Sequence, residues 1–313
     1  MSALLFPGQG SQVVGMGSEF YEGFDLVKKI FQQADERLNF PISKIILKGP
    51  ESELQLTQNT QPAILTVSYS IFKVLKDEFG FDFSSFKYFA GHSLGEYSAL
   101  VSSETLSISD ALYLLHERGK AMQEAVPVGM GSMIAVLGVK INEIRDLLIA
   151  NNKNKGVCEV ANDNADGQVI ISGDKNSVQL FQKILKDKKI KSIPLKVSAP
   201  FHCSLMKPAA ESMADKINNT KFNNSTYKII NNVTAKPETN SNIFKKLLID
   251  QIFSAVRWRE SIMHMSNEGV SNFVEIGPGK VLAGMVKRTI KKANCFSINS
   301  IADIENLKNE FKK

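Results

Sequence analysis

A serine between two glycines is the part of this sequence best suited to nucleophilic chemistry. Residues 91–96 are Gly-His-Ser-Leu-Gly-Glu, with Ser93 two residues from each glycine. Glycines at these positions permit a turn too tight for other residues, which is typical of the elbow that carries a nucleophile between a strand and a helix. Such a turn exposes the hydroxyl and directs the first amides of the helix at the same space, where they can stabilise an oxyanion. The spacing therefore predicts a nucleophilic serine.

The predicted nucleophile needs a base, because a serine hydroxyl is weakly nucleophilic at neutral pH. The chain has four histidines. His92 adjoins Ser93 and is expected to point away from it, while His116 and His264 lie in helical patterns that favour core or surface roles. His202 lies in a proline-containing loop, Ser-Ala-Pro-Phe-His-Cys, immediately before a helical pattern. That position makes His202 the best-placed candidate, although a structural role stays open for a lone loop histidine.

Three further segments have residue types that bind anions or nucleotides. Arg118 lies in the helical pattern after the elbow helix, and from composition alone it is most simply a solvated arginine. Gln9 lies between two glycines in segment 6–12, but G-x-G-x-x-G is incomplete because Val13 replaces the third glycine, so a dinucleotide-binding fold is not favoured. Segment 277–280, Gly-Pro-Gly-Lys, resembles a phosphate-binding loop in composition only and is predicted to be a turn.

Three apolar segments that precede glycine-containing turns predict the sheet that positions these residues. Segments 3–6, 86–90 and 272–276 are strand-like, and long helical patterns separate them. This alternation predicts a largely parallel α/β sheet whose loops gather at its carboxyl edge. The covering helices are predicted by apolar residues three and four apart in segments 62–79, 107–125, 205–217 and 243–253.

The middle of the chain has a different rhythm, which predicts a small inserted domain. Between residues 127 and 198 the pattern is strand, helix, two strands, helix, strand, the β-α-β-β-α-β order of ferredoxin-like folds. The predicted elements are 133–139, 142–151, 157–161, 168–172, 175–186 and 189–197. We therefore expect a catalytic domain of residues 1–126 and 199–313 that carries a subdomain of residues 127–198. Segments 151–155 and 218–225 are expected to be exposed connections, and the lysine-rich C-terminus to be loose.

Composition excludes several classes of protein. The 313 residues are 43% hydrophobic and 22% charged, which is typical of a globular protein with a large core. The N-terminus has no basic segment followed by a long apolar run, and no apolar run is long enough to cross a membrane. Three scattered cysteines without C-x-x-C spacing favour neither disulfides nor a metal site. A net charge of +6 without interleaved aromatics makes nucleic acid a poor candidate partner. We expect a cytoplasmic protein, or a plastid one if a transit peptide has been removed.

Six motifs together make the sequence similar to a known family. They are segments 6–12, 91–96, 117–119, 161–164, 199–202 and 275–279. In order and spacing they resemble the malonyl-CoA:acyl-carrier-protein transacylases of bacterial type II fatty-acid synthesis, nearly end to end. The resemblance implies an α/β-hydrolase-like large domain with an inserted ferredoxin-like small domain, in agreement with the rhythm described above.

The same resemblance implies roles for individual residues. Ser93 would be the nucleophile and His202 its general base, and the backbone amides of Gln9 and Leu94 would hold the oxyanion. Arg118 would bind the free malonyl carboxylate through its planar guanidinium.

Three further positions carry over with weaker roles. The resemblance implies that Gln251 orients His202 through its backbone carbonyl, so that no acidic third member is needed. Phe201 matches the pattern of malonyl-selective enzymes. Asn162 and Asn164 match a polar loop at the mouth of the cleft, although a role as turn-forming asparagines is equally open.

The implied reaction is ping-pong transfer of malonyl from malonyl-CoA, through a malonyl-serine, to the phosphopantetheine thiol of acyl carrier protein, without cofactor or metal. The partners would be malonyl-CoA and acyl carrier protein, with no nucleic acid and no membrane, and a monomer is expected. Lysine-rich segments 186–191 and 287–292 could attract the coenzyme A phosphates or the acidic carrier.

Two rival interpretations stay open. An esterase or thioesterase shares the elbow and would pass the acyl group to water, but it usually has an acidic residue between the serine and the histidine, and no candidate stands out. An inactive relative that binds acyl carriers would lack part of the machinery, whereas nucleophile, base and arginine are all present here.

Overall fold

The computed structural model describes residues 1–151 and 156–311. Within these ranges the chain forms ten strands and fourteen α-helices. The strands are β1 (Ser2–Phe6), β2 (Phe86–Gly91), β3 (Gly131–Leu137), β4 (Cys158–Ala165), β5 (Gln168–Asp174), β6 (Lys191–Pro194), β7 (Lys228–Ile230), β8 (Pro237–Glu238), β9 (Asn272–Ile276) and β10 (Asn294–Ile298). The helices are α1 (Ser18–Gly23), α2 (Asp25–Leu38), α3 (Ile42–Lys48), α4 (Glu51–Leu54), α5 (Thr57–Lys73), α6 (Gly95–Ser102), α7 (Ile108–Glu124), α8 (Ile141–Asn151), α9 (Lys175–Asp187), α10 (Lys207–Asn219), α11 (Ser241–Phe253), α12 (Trp258–Asn267), α13 (Val281–Thr289) and α14 (Ile301–Phe311).

The larger sheet has six strands in the order β10-β9-β1-β2-β7-β8. Every neighbouring pair is parallel except β7 and β8. The central strand β1 is buried along its whole length, because helices cover both faces of a parallel sheet. The predicted α/β class and the three predicted strands of this sheet are confirmed, and the connections after β1, β2 and β9 all leave from the carboxyl edge.

The smaller sheet has four antiparallel strands in the order β4-β5-β3-β6. Its chain order, β3-α8-β4-β5-α9-β6, confirms the predicted β-α-β-β-α-β pattern. One face of this sheet packs against α8 and α9 through a separate apolar cluster that includes Val136, Ile144 and Phe181. The division of the chain into two domains at residues 127 and 198 stays a prediction.

Several predicted elements have different bounds in the structure; the strand predicted over 157–161, for example, extends to Ala165. The strand predicted over 189–197 extends only over Lys191–Pro194, since beyond Leu195 the backbone turns back on itself with Val197 N–H donating to Leu195 O at 3.1 Å. The helix predicted from residue 62 begins at Thr57, and it continues after Lys73 as a π-helical turn. Its early start was hidden because polar residues there are buried and bonded to the preceding turn, as Thr60 Oγ1 is to Leu54 O at 2.6 Å.

The predicted connections are described in part. Segment 218–225 is mostly exposed, but Phe222 and Ser225 are buried. Phe222 packs into the main core, because the burial of a large aromatic ring is strongly stabilising. Of segment 151–155, residues 152–155 lie outside the described residues, as do the last two lysines of the chain. In the described ranges no helix combines the length and the apolar character that a membrane crossing needs.

Candidate active site

Ser93 occupies a strained turn between β2 and α6. Its φ is 53°, in the left-handed region that a serine seldom adopts. A Cβ on Gly91 would lie 1.9 Å from the carbonyl carbon and oxygen of Gly95, and a Cβ on Gly95 would lie 2.2 Å from Phe6 O. Both glycines are therefore required by backbone packed against backbone, which is the tight turn that the spacing predicts.

His202 meets Ser93 from the opposite side of the cleft. The Ser93 Oγ lies 2.8 Å from His202 Nε2, and His202 Nδ1 lies 2.9 Å from the backbone oxygen of Gln251 in α11. Because a carbonyl only accepts, Nδ1 carries the proton and Nε2 is left to accept from the serine. Burial and then the nearby Arg118 charge lower the pKa of His202 to about 3, so the resting imidazole is neutral.

Arg118 is buried beside the serine, so its interpretation as a solvated arginine is wrong. Helix α7 approaches α5 so closely that a Cβ on Gly119 would lie 2.4 Å from Gln58 Cα. The Arg118 Nη2 donates to Ser93 Oγ at 3.2 Å and to Gln251 Oε1 at 2.9 Å, and Nη1 donates to Gln61 Oε1 at 2.7 Å. The Arg118 guanidinium is thereby fixed beside the Ser93 hydroxyl, where it can bind an anionic group of a ligand.

Most of the predicted residues line one cavity of about 220 Å³. They are Gln9, Ser93, Arg118, Asn162, Asn164, Phe201 and His202. Leu94 and Gln251 are buried behind this lining. The cavity also receives Met133, Ile170 and Leu195 from the smaller sheet and the segment after it, so both sheets contribute walls.

Two backbone amides near the serine are available to a ligand. Within residues 1–151 and 156–311, neither the Gln9 N–H nor the Leu94 N–H has an acceptor. The Ser93 N–H, by contrast, donates to Asn232 Oδ1 at 2.7 Å. The turn that carries Gln9 is closed by Gly10 N–H, which donates to Gln12 Oε1 at 2.7 Å. The free donors match the arrangement that an oxyanion needs.

The asparagines predicted at the cleft lie in strand β4 rather than in a turn. Asn164 Oδ1 lies 2.8 Å from His92 Nε2, which ties the smaller sheet to the elbow. Asn162 forms a parallel bridge with Val256. The turn-forming interpretation is therefore wrong for both. His92 lines the cavity without bonding to the serine.

Sequence reasoning missed four polar residues around this site: Gln61, Glu96, Asn231 and Asn232. All are buried and bonded to one another, to the elbow or to Arg118. A signal existed for the asparagine pair, which directly follows β7 at the carboxyl edge of the sheet. Among the described residues, no three histidine, cysteine or acidic side chains are grouped as a metal site.

Comparison with known proteins shows the family to which this chain belongs. The model of the acyl transferase domain family matches residues 3–311. The malonyl CoA-acyl carrier protein transacylase of Bacillus subtilis (strain 168) is 42% identical over 306 residues, which cover 97% of this chain and 95% of that protein. The enzyme of the same name from Escherichia coli (strain K12) is 39% identical and covers 95% of each chain. The chain belongs to the malonyl-CoA:acyl-carrier-protein transacylases of the acyl transferase family.

Solved structures of this family share the fold of the chain. The acyl-carrier-protein-S-malonyltransferase of Bartonella henselae is 37% identical with a TM-score of 0.95, covering 100% of this chain and 99% of that one. A malonyl-transacylase solved in complex with a type II PKS acyl-carrier protein is 36% identical with a TM-score of 0.94, covering 98% and 99%. The predicted family and the predicted enzyme class, an acyltransferase, are thus confirmed.

Proposed function

We propose that this acyl transferase moves the malonyl group of malonyl-CoA to the phosphopantetheine thiol of acyl carrier protein and thereby supplies extender units for fatty-acid synthesis. The observation that carries the proposal is the buried Arg118 guanidinium 3.2 Å from a serine hydroxyl that is itself 2.8 Å from a histidine. A nucleophile with an adjacent cation suits an acyl group that ends in a carboxylate. The names of the relatives support the same donor and acceptor.

Ser93 attacks the thioester carbonyl while His202 Nε2 takes its proton. The oxyanion lies against the Gln9 and Leu94 amides, and each such donor contributes about 10²- to 10³-fold to the rate. Collapse breaks the carbon–sulfur bond, coenzyme A leaves with the proton held by His202, and a malonyl ester of Ser93 remains. Gln251 O keeps the imidazole in the required tautomer by accepting from Nδ1.

Arg118 selects the acyl group and also tunes the base. Its charge lowers the pKa of His202, after burial as the larger cause. A malonyl carboxylate paired with Arg118 offsets that charge, so the imidazole becomes a stronger base when the correct substrate is bound. Acetyl groups provide no such compensation. The reaction needs only side chains and backbone amides, without a cofactor, and Phe201 and Asn162 shape the cleft around the acyl group.

The second half-reaction reverses the first with a different thiol. The carrier thiol gives its proton to His202 and attacks the malonyl ester, and Ser93 leaves with that proton. The family relative bound to an acyl-carrier protein supports this class of partner. Segments 186–191 and 287–292 present exposed lysines and an arginine, which attract an acidic carrier or the coenzyme A phosphates.

The proposal extends to organisation and location. We propose that residues 127–198 form the subdomain and that residues 1–126 and 199–313 form the catalytic domain, since the smaller sheet has its own apolar cluster. We propose a monomer in the cytoplasm, where its three free cysteines stay reduced.

Incubation with radiolabelled malonyl-CoA, with and without holo-carrier protein, tests the function. Without carrier, label should appear on the peptide that contains Ser93. With carrier, label should move to the carrier thiol. Fast release of free malonate with no label on the carrier would instead identify a hydrolase.

A further inference from the structure

A buried carboxyl group, Glu96, lies directly behind the elbow. It is fully buried in the first turn of α6. Its Oε1 accepts from Asn231 Nδ2 at 2.6 Å, and its Oε2 accepts from Gln251 Nε2 at 2.7 Å and from Asn232 N at 3.1 Å. Three donors and no acceptor face this group among the described residues, which is the environment of a carboxylate.

The side chain of Gln251 joins Glu96 to Arg118. Its Nε2 donates to Glu96 and its Oε1 accepts from Arg118 Nη2 at 2.9 Å. A carboxylate can only accept and a guanidinium can only donate, so the amide fits this gap in one orientation. Glu96, together with the Ser93 carbonyl that accepts from the same Nε2 at 3.2 Å, therefore fixes which end of the amide faces the arginine.

Glu96 is also the acidic residue whose charge acts on the arginine. Arg118 forms no direct ion pair with any residue in the described ranges. Burial lowers the pKa of Arg118, and electrostatic interactions with Tyr97 and Glu96 oppose that fall. Burial raises the pKa of Glu96 to about 7, against the pull of its three donors and Arg118. The pair is thus connected through one neutral amide, and the buried Arg118 Nε has no hydrogen-bond partner among the described residues.

We propose that Glu96 is a positioning residue that acts through Gln251 on Arg118 and thereby sets the preference for acyl groups with a free carboxylate. The proposal rests on the proposed function, because it concerns how the substrate carboxylate is held. A direct ion pair would fix Arg118 as firmly but would occupy the donors that malonyl needs. An amide relay instead adds one neutral acceptor for the guanidinium to those that Gln61 and Ser93 provide.

The substitution E96Q changes the charge and the donor pattern with little change in volume. A glutamine at this position must turn its NH₂ group towards Asn231 Nδ2 or towards Gln251 Nε2 and Asn232 N, all of which are donors. Asn231 cannot turn to help, because its Oδ1 accepts from Val233 N at 2.8 Å and Thr234 N at 3.1 Å. Where the new NH₂ group faces Gln251, the Gln251 Nε2 keeps only Ser93 O at 3.2 Å and Asn232 Oδ1 at 3.5 Å as acceptors, so the amide that faces Arg118 is held less firmly.

The test compares kcat/KM for malonyl-CoA and acetyl-CoA at pH 8, where Glu96 is ionised. For E96Q we expect the malonyl value to fall about 30-fold, mainly through KM, while the acetyl value changes less than about threefold, because a hydrogen bond to a charged group is affected. E96D retains the charge but moves it away from Gln251, so its malonyl-to-acetyl ratio should fall less than that of E96Q. E96D replaces E96Q in this test if E96Q does not fold. E275Q is the matched control, since Glu275 is also a buried carboxyl group and does not face Arg118; its malonyl-to-acetyl ratio should equal that of the unmodified protein.

Two outcomes would overturn the proposal. An equal fall for both substrates in E96Q would show that Glu96 only supports the elbow. A further change in the ratio when E96Q is added to R118A would show that Glu96 does not act through the arginine, since a shared path leaves nothing more to lose. Failure of the proposed function is distinguishable, because the unmodified protein would then load no malonyl onto Ser93.

Discussion

Two connections at the carboxyl edge of the larger sheet are built alike and differ in what they do. After β2 and after β9, a buried strand ends in a glycine-containing turn and a helix begins. Each connection is flanked by a buried glutamate, Glu96 at the start of α6 or Glu275 near the end of β9, and burial raises the pKa of each to about 7. Local sequence distinguishes the two turns only by their residue types, since the first contains a serine and the second does not.

The difference lies in the partners of the two glutamates. Glu275 accepts from the Leu282 and Ala283 N–H groups at 3.1 and 2.8 Å and so caps the start of α13. Glu96 accepts from side chains of two other elements, and one of these reaches Arg118. A buried carboxyl group thus stabilises a helix in one place and organises a site in the other, and the elements packed opposite decide which.

The largest effect should follow from removing the hydroxyl in the first connection. S93A should lower malonyl transfer by at least about 10⁴-fold, because no covalent intermediate can form. K280A, in the turn after β9, should retain transfer. Mass spectrometry of the intact protein after exposure to malonyl-CoA checks both. A malonyl adduct on S93A would place the nucleophile elsewhere and remove the distinction between the two turns.

R118A should separate carboxylate recognition from the chemistry of the elbow. We expect kcat/KM for malonyl-CoA to fall about a hundredfold or more, since a buried charge-assisted contact is lost, and the preference to shift towards acetyl-CoA. Competition between the two labelled thioesters measures that preference. Unchanged discrimination would contradict the assignment of Arg118.

G95A should test how tightly the elbow is packed. A Cβ there would lie 2.2 Å from Phe6 O, so we expect the free energy of unfolding to fall by about 3 kcal/mol. Gly284, in the helix after the second turn, has nothing within 4 Å of its would-be Cβ. G284A should therefore stabilise the protein by about 0.5 to 1 kcal/mol. Urea unfolding measures the free energy of unfolding of both variants, and equal values would refute the close packing at Gly95.

The smallest effect concerns the pH dependence of stability. Glu275 has a higher pKa in the folded chain than its ordinary value of 4.5, so the folded state holds its proton more tightly than the unfolded state. Its contribution is present below pH 4.5 and is lost as the pH rises towards 7. E275Q should remove up to about 1.4 kcal/mol per pH unit from the slope of stability between pH 5 and 7. A slope identical to that of the unmodified protein would show that Glu275 does not titrate in this range.

Local sequence was sufficient for three strands of the larger sheet, for the order of the elements in the smaller sheet and for the elbow. The strands β1, β2 and β9 were predicted because continuous apolar segments and the glycine-containing turns after them are local signals. The elbow was predicted for the same reason, since a turn that requires glycine on both sides of Ser93 is specified within five residues. The strand after Lys189 was overextended, because only pairing with β3 determines where β6 ends.

What the sequence determined by itself is the identity of the reactive groups: a serine on a tight turn, a loop histidine and an arginine, in the spacing of an acyl transferase. Only the tertiary structure decided how they are connected. The Gln251 carbonyl and side chain, the Asn232 amide and the Glu96 carboxyl group come from two helices and a loop, and Gln251 contacts Ser93 across 158 residues of sequence. Hydrogen-bond partners so far apart produce no periodic or local pattern in the sequence, because these hydrogen bonds form only once the helices and strands have packed together.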